Sequence, residues 1–493
     1  MFLINWGKIK GRIDPSSFRK FAVFHSDRFS IQPMGEVIEI NPRISFLGLD
    51  KDTDISFVPM ERIDEAFGSI KETSTKKIRD SIGFTRFNSG DLLWAKITPC
   101  MQNGKSAVAK NLVNNLGCGS TEFFVIRPKN NKILIEYIHF LLRDERVLSF
   151  AQNYFGGAAG QQRVSKDFLL YLPIPIPDIG TQQRIISIMN EAYNQKRKKL
   201  QESKDLLNNI NDYLLDVLTI SLPLEKECDL HNRIFYIHAN DMISGRFDPR
   251  KYSLKYKQLL DAIKSAPYDR LLLKEIVLND VSGDWGMDDA AEDSDLISCL
   301  TIRGTEFDNK FNLDLDNNRT KFRKYSRASF NKIALKEKDI LIEKSGGSEE
   351  QPVGRVAFIE KDMHDNYPLA FSNFIHRIRI DENKAVSEYV FEYLRLMHNI
   401  KITEVMQTQT NGIRNLIMQE YFTQTILLPE LKKQEDIAIH AAGMRRRAFE
   451  LQMEAENVIT DAKIKVEKIL LGDEHKVKPK HKDILDGVAL GEL

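Results

Sequence analysis

The residues with the most informative types and spacing form two groups of cations, each set just ahead of an apolar stretch. Lys76, Lys77, Arg79 and Arg86 precede Leu92 to Ile97, and Lys321, Arg323, Lys324 and Arg327, with Phe322 and Tyr325 interleaved, precede Ile340 to Ile342. Lysine and arginine at that density suit the phosphates of a nucleic acid, while amide and guanidinium groups on neighbouring loops suit base edges in the grooves. Candidates for base reading are Gln102, Asn103 and Lys105 after the first group and Gln351 and Arg355 after the second. Glycine turns add Gln161, Gln162 and Arg163, answered by Asn411, Arg414 and Asn415. A solvated charged face explains either cluster taken alone, and glycine turns equally serve close approach of backbones in domain packing.

The patterns that covalent chemistry needs are missing. Asn103-Gly104-Lys105-Ser106 ends like a phosphate-binding loop, but Pro99 stands where the leading glycine belongs. Glu343-Lys344 after Asp339 lacks the intervening residue that would set glutamate and lysine on one face of a strand. The acidic run Asp284 to Asp295 has neither the alternating oxygen ligands nor the central glycine of a calcium loop. No dinucleotide fingerprint follows a strand, and no methyltransferase site of the Asn-Pro-Pro-Tyr type occurs. Cys100, Cys118, Cys228 and Cys299 form no C-x-x-C pair, so they read as reduced thiols rather than a disulfide framework or zinc site. The expectation is a chain with no catalytic residue, cofactor or metal of its own.

The elements that must position these residues occur twice. Gly11-Arg12-Ile13-Asp14-Pro15 returns as Gly245-Arg246-Phe247-Asp248-Pro249, and later landmarks repeat about 252 residues on: Ser120 with Ser372, Arg127 with Arg379, Glu136-Tyr137 with Glu388-Tyr389, Arg143 with Arg395, Gly160 with Gly412, Gln182 with Gln434. A period that long is a duplicated domain rather than a solenoid. Buried strands are expected at Leu92 to Ile97 and Phe123 to Ile126, and again at Ile340 to Ile342 and Phe374 to Ile380; helical spacing follows from Glu136 to Phe150 and Glu388 to Met406. Each copy is therefore α+β. Pro173, Pro175 and Pro177 lock an extended segment, after which Asp178 or Thr181 can cap a helix.

From Gln182 to Val217 an apolar seam of Ile185, Met189, Ala192, Leu206 and Ile210 recurs at coiled-coil spacing, broken by a polar gap at Lys196, Lys199 and Ser203. Ile437, Ala441, Met444, Ala448 and Leu451 repeat it. The gap suggests that something beyond a two-helix pair covers the seam, so these ten residues are candidate partner contacts. Rods of about 54 Å exceed one DNA turn. The expected architecture has two tandem domains separated by long helices in an antiparallel coiled coil, with pseudo-two-fold symmetry. Its boundaries are 1–177 and 221–428 for the domains, 178–220 and 429–472 for the helices, and 473–493 for a mobile polar tail.

Composition is consistent with a soluble protein: 493 residues, 42% hydrophobic and 29% charged. Net charge of +1 argues against a wholly basic surface, although residues 1–180 carry about +5 and 241–420 about −3, so any nucleic-acid footprint is local. No signal peptide or spanning helix is evident, which points to the cytoplasm.

Gly90-Asp91-Leu92-Leu93-Trp94-Ala95-Lys96-Ile97-Thr98-Pro99-Cys100-Met101-Gln102-Asn103-Gly104-Lys105, followed by Gly119-Ser120-Thr121-Glu122-Phe123, Gly160-Gln161-Gln162-Arg163-Val164 and Leu172-Pro173 through Gln182-Gln183-Arg184-Ile185, resembles the specificity (S) subunits of type I restriction-modification systems. The likeness covers about Ser30 to Leu471. The second copy departs from it: Lys338-Asp339 replaces glycine-aspartate, Ser372-Asn373-Phe374 replaces the serine-threonine-glutamate-phenylalanine run, and Gln434-Glu435 replaces the paired glutamines. The resemblance implies a DNA-binding target-recognition subunit without catalysis, reading a bipartite double-stranded target. Its partners would be two methyltransferase (M) subunits using S-adenosylmethionine and restriction (R) subunits using ATP and Mg, with the M subunits docking on the helices. The competing expectations are a self-contained methyltransferase or nuclease, and a coiled-coil scaffold that never touches DNA.

Overall fold

The computed structural model describes residues 23–46, 48–157, 161–223, 234, 236–237, 248–288, 295–308, 312–317, 319–347, 352–364, 367–410 and 413–471. Both copies of the opening repeat phrase except Asp248-Pro249, Gly160, Gly412, Cys228, the candidate readers Gln351 and Asn411, most of Asp284 to Asp295 beyond Asp288, and the tail 473–493 lie outside the described residues.

Two compact units divide the chain: residues up to Leu200 with those from Met453, and Gln201–Gln452. In the first unit, Leu92–Ala95 sits inside a four-stranded sheet ordered Ile38–Ile40, Phe123–Pro128, Leu92–Ala95, Ser106–Val108. All four of its residues are buried, because both sheet faces are covered. The two-residue strand period sorts them. Leu92 and Trp94, with Phe124 and Ile126, join the core shared with the helices Ile135–Leu142, Glu145–Ala151 and Lys166–Tyr171. Leu93, Phe123 and Val125 face a second sheet instead.

That second sheet runs Ser74–Lys77, Asp54–Val58, Leu116–Gly119, Thr85–Asn88, with Asp54–Val58 and Leu116–Gly119 parallel. Glycine is required where they meet. A Cβ on Gly119 would lie 2.2 Å from the Val58 carbonyl oxygen, and one on Gly117 2.2 Å from the Phe87 ring.

The second unit repeats this plan. Val277–Ser282, Ile375–Ile380, Ile340–Glu343 and Val356–Phe358 form its first sheet in the same order. Ile340, Ile342, Ile378 and Ile380 face the helical core, while Leu341, Ala357 and Ile375 face the other sheet. In that sheet Leu296–Ile302 runs parallel to Leu369–Phe371 and antiparallel to Phe322–Ser326. One strand is new: Met287–Asp288 pairs outside Phe322–Ser326, on the edge where the first unit has no further strand among the described residues. The helical stretch expected from Glu388 ends earlier, as Ser387–Asn399 followed by a 3₁₀ turn, Ile402–Met406.

The long helices are Ile179–Val217 and Leu431–Leu471. Asp178 caps the first, accepting from the Thr181 amide at 3.0 Å and the Thr181 hydroxyl at 2.7 Å. In the first unit Met189 and Ala192 meet Ile459 and Ala462. In the second, Ile210 and Leu214 share a core with Ile437 and Ala441, and Tyr213 lies 4.3 Å from the His440 ring. Rising numbers on one helix meet falling numbers on the other, so each unit holds an antiparallel pair.

The polar gap corrects a sequence-based expectation. It needs no further covering element, because polar residues on the opposing helix fill it. Lys196, 8% exposed, meets Glu456 at 2.8 Å, and Lys199 meets Glu454. Within the second unit, Gln452 Nε2 donates to buried Ser203 Oγ at 2.7 Å.

Candidate nucleic-acid interface

In the first unit three of the expected phosphate-binding cations, Lys76, Lys77 and Arg79, lie on or just after one edge strand, and Arg86 lies on the opposite edge, Thr85–Asn88. Lys76 and Lys77 lie on Ser74–Lys77, which among the described residues pairs only with Asp54–Val58. The Lys76 ammonium stands 4.5 Å from the Phe57 ring centre and 5.1 Å from that of Phe84, and the Arg86 guanidinium lies 4.5 Å from the Phe46 ring. Lys77 pairs with Asp54 at 2.8 Å and Arg79 with Asp52 at 2.6 Å. Solvated pairs of this kind are weak, about 0–1 kcal/mol, so a polyanion can compete for both cations.

The equivalent strand of the second unit, Phe322–Ser326, behaves differently. Met287–Asp288 covers its edge, and Arg323 is drawn inward: it donates to the carbonyls of Trp285 and Gly286, pairs with Asp288 at 2.9 Å and stacks 4.8 Å from the Trp285 ring centre. Arg323 is thus an internal strut rather than the surface phosphate contact expected from its spacing. Lys321 and Arg327 are exposed and Lys324 is half-buried.

Of the base-reading candidates in the first unit, Gln102 and Asn103 are exposed on the turn after Pro99, while Lys105 is half-buried. Asn103 Nδ2 and Lys105 Nζ approach the Glu65 carboxylate at 3.5 and 4.0 Å. Gln162 docks beside this turn through its backbone: its amide donates to Thr98 Oγ1 at 3.1 Å, and its carbonyl accepts from the Thr98 amide at 2.9 Å. Arg163 grips Glu122 with two bonds of 2.9 and 2.8 Å, which holds that carboxyl below its usual pKa. Glu122 belongs to the Ser120–Glu122 turn, whose other side, at Ser120 and Thr121, lines a cleft with Phe57, Ile82 and Phe84. One surface therefore joins the loop candidates to the Lys76 edge.

In the second unit Arg355 overturns its sequence assignment. It is 7% exposed, bound to Glu343 at 2.8 and 2.7 Å and to the carbonyls of Phe307 and Gly304. Burial demands such pairing, and a guanidinium so engaged does not reach a base edge. Arg414 is also buried, in a strand opposite Gln409 and Gly347. Its neighbour Asn415 accepts from Ser345 Oγ at 2.6 Å.

What the sequence could not point to is apolar. Ile82, Trp285, Met287 and Phe374 are exposed, the last three around the Arg323 strut, where Trp285 and Phe374 meet edge to face at 6.0 Å. The turn sequence Ser81-Ile82-Gly83-Phe84 was the available signal for Ile82. For Trp285 none existed, since only pairing in space brings it to Phe374.

The candidate partner contacts form an internal seam. Ile185, Met189, Ala192, Ile210, Ile437, Ala441, Ala448 and Leu451 are buried within their own units, and Leu206 and Met444 are partly buried. These side chains are spent on internal packing and are not free to form the docking face expected of the seam. Apolar side chains that do reach solvent on the second long helix include Ile439 and Phe449.

Two brackets recur in both units, one ionic and one made by a glutamine amide. Asp91 takes two bonds from Arg127, and Asp339 takes two from Arg379. Gln182 and Gln434 each bind a carbonyl and an amide at the head of a long helix, through Pro177 with Leu134 and Pro429 with Val386. Burial pushes the Cys118 and Cys299 thiols up to about 11, so both stay protonated. Among the described residues no three His, Cys, Asp or Glu side chains are placed to hold a metal, and no helix is long and apolar enough to cross a membrane.

A duplicated α+β module on paired helices, with loop tips that differ between the copies, defines a two-module recognition protein. The chain belongs to the type I restriction modification DNA specificity domain family, which it matches over residues 28–211 and 310–440. It is 33% identical over 205 residues to the type I restriction enzyme EcoEI specificity subunit of Escherichia coli, and 34% over 202 residues to the EcoAI specificity subunit. Those matches cover 41% and 40% of this chain, and the chain spans about a third, 34%, of either relative. A chain from a solved type I R-M system, described for complex assembly and conformational transition, has the same fold with a TM-score of 0.53. The identity is 15%, and the match covers 91% of this chain and 100% of that one.

Proposed function

We propose that this chain is the non-catalytic specificity subunit of a type I restriction-modification complex, each domain reading one half of a bipartite double-stranded DNA target. The observation that carries the reading is the pairing of a constant frame with divergent tips. The Asp91–Arg127 and Asp339–Arg379 brackets hold matching sheets in place, yet among the described residues no strand covers the edge beside Lys76, whereas Trp285 and Asp288 cover that beside Arg323. Same scaffold with different loops is what reading two different half-targets requires.

Two methyltransferase subunits would supply S-adenosylmethionine chemistry, and restriction subunits would supply ATP and Mg-dependent steps, so this chain holds no cofactor itself. The exposed side of the second helix, at Ile439 and Phe449, is the docking face for a methyltransferase subunit rather than the buried seam. Such a complex would work in the cytoplasm, on the host genome.

The test is binding of random-sequence duplexes across a salt series, followed by selection of the tightest sequences. A bipartite consensus with affinity that falls linearly with log salt is expected. Absence of any consensus, or duplex cleavage by the purified chain alone with metal, would overturn the reading.

A further inference from the structure

The tip Ser81–Phe84 is a built turn that presents an isoleucine to solvent. Ile82 has φ −64° and ψ 132°, Gly83 has φ +85°, and the Phe84 amide donates to the Ser81 carbonyl at 3.2 Å. These are the angles of a type II turn, whose third position needs glycine. Ser81 Oγ anchors the turn on the Ile78 carbonyl at 2.6 Å. The second position, often proline, here carries a β-branched side chain 78% exposed. Among the described residues it joins no hydrophobic core.

Behind the tip lies an open cleft of about 370 Å³, lined by Phe57, Met60, Glu61, Ile82, Phe84 and the Ser120-Thr121 turn. Its floor is aromatic, Phe57 and Phe84 meeting edge to face at 5.0 Å. Lys76 stands over both rings, whereas Lys77, its neighbour on the strand, points to the other face and pairs with Asp54. An aromatic recess with one ammonium over its rings and the hydroxyl groups of Ser120 and Thr121 in its wall fits an apolar group carried on a polyanion. In a DNA major groove the one such group is the 5-methyl of thymine.

We propose that Ile82 and this cleft read the 5-methyl group of a thymine in the half-target of the first domain. The inference rests on the DNA-reading function proposed above. It adds a specificity-determining side chain that is apolar, where the sequence pointed to amides and arginines.

The experiment uses the full chain and a duplex selected from random sequence. Each thymine of the half-target sensitive to changes in the first domain is replaced in turn by deoxyuridine, which removes the methyl alone. At one position, affinity of the unaltered chain should fall about tenfold, the scale of one methyl in an apolar recess. Ile82→Ala should bind the thymine duplex about as weakly and no longer distinguish thymine from uracil there, with Ile82→Val intermediate. Indifference to every deoxyuridine, a half-target without thymine, or an equal loss for Ile82→Ala on both bases would overturn the proposal while leaving DNA reading intact. Failure to bind any duplex would overturn both together.

Discussion

Asp91 and Arg127 hold each other through two nearly parallel hydrogen bonds of 2.7 and 2.8 Å, with the carboxylate 2% exposed and the guanidinium 32%. The pair ties the start of Leu92–Ala95 to Phe123–Pro128, and Asp91 also accepts from the Asn88 amide at 2.7 Å. Asp339 and Arg379 place the same bracket in the second unit, at 2.6 and 3.1 Å.

Asp91→Ala should therefore cost about 2–3 kcal/mol, since charged hydrogen bonds are removed and the Asn88 amide is orphaned. Chemical denaturation monitored by Trp94, which is in the core of the same unit, is the measurement. A loss under about 0.5 kcal/mol, the range of an ordinary surface change, would show that the bracket does not hold the sheet.

For Arg355, the base-reading role expected from the sequence gives way to a stability effect. Arg355→Met leaves Glu343 buried without its cation and should destabilise the second unit by about 3–5 kcal/mol, whereas adding Glu343→Leu should recover much of that. Selected consensus sequences of the double variant should match those of the unaltered chain. A relaxed half-target would restore Arg355 as a reader.

The helix seam distinguishes internal packing from docking. Ala448, fully buried, should not tolerate glutamate: Ala448→Glu should lower stability by at least about 3 kcal/mol. Phe449→Glu, at a site 60% exposed, should leave unfolding within about 0.5 kcal/mol and release a methyltransferase subunit in size-exclusion runs. Retention of that subunit would move the docking face elsewhere.

Phosphate neutralisation should reveal itself by salt dependence. Lys76→Ala combined with Lys321→Ala should weaken binding to all duplexes and reduce the log–log salt slope by about 0.9 for each phosphate no longer neutralised. Arg323→Ala should instead change thermal stability more than slope, because its partners are Trp285, Gly286 and Asp288.

Acid should loosen the first unit through His139. Burial, aided by Arg143, depresses its pKa to about 3 from 6.5, so the unfolded chain binds a proton that the folded chain refuses. Its stabilising contribution is complete above about pH 6.5 and is lost as pH falls towards 3, with a slope approaching about 1.4 kcal/mol per pH unit. Urea midpoints of His139→Gln, compared with the unaltered chain between pH 7 and 4, should show a shallower acid decline.

Duplication, the α+β character of each copy, the strands at Leu92 and Ile340, and the long helices were all legible in the amino-acid sequence. Each rests on local periodicity or on repetition along the chain, which need no knowledge of what meets what in space. Charge was legible only as composition. Whether an arginine faces solvent or a buried carboxylate depends on residues far away: Arg355 on Glu343, Arg323 on Trp285 and Asp288. The polar gap near Lys196 looked like an unfinished seam because Glu456, which fills it, lies 260 positions on. Tertiary structure alone decided which cations stay at the surface and which apolar side chains, Trp285 above all, stand out in solvent. Burial is a property of pairs distant in sequence, and a desolvated charge must find its partner wherever the chain supplies one.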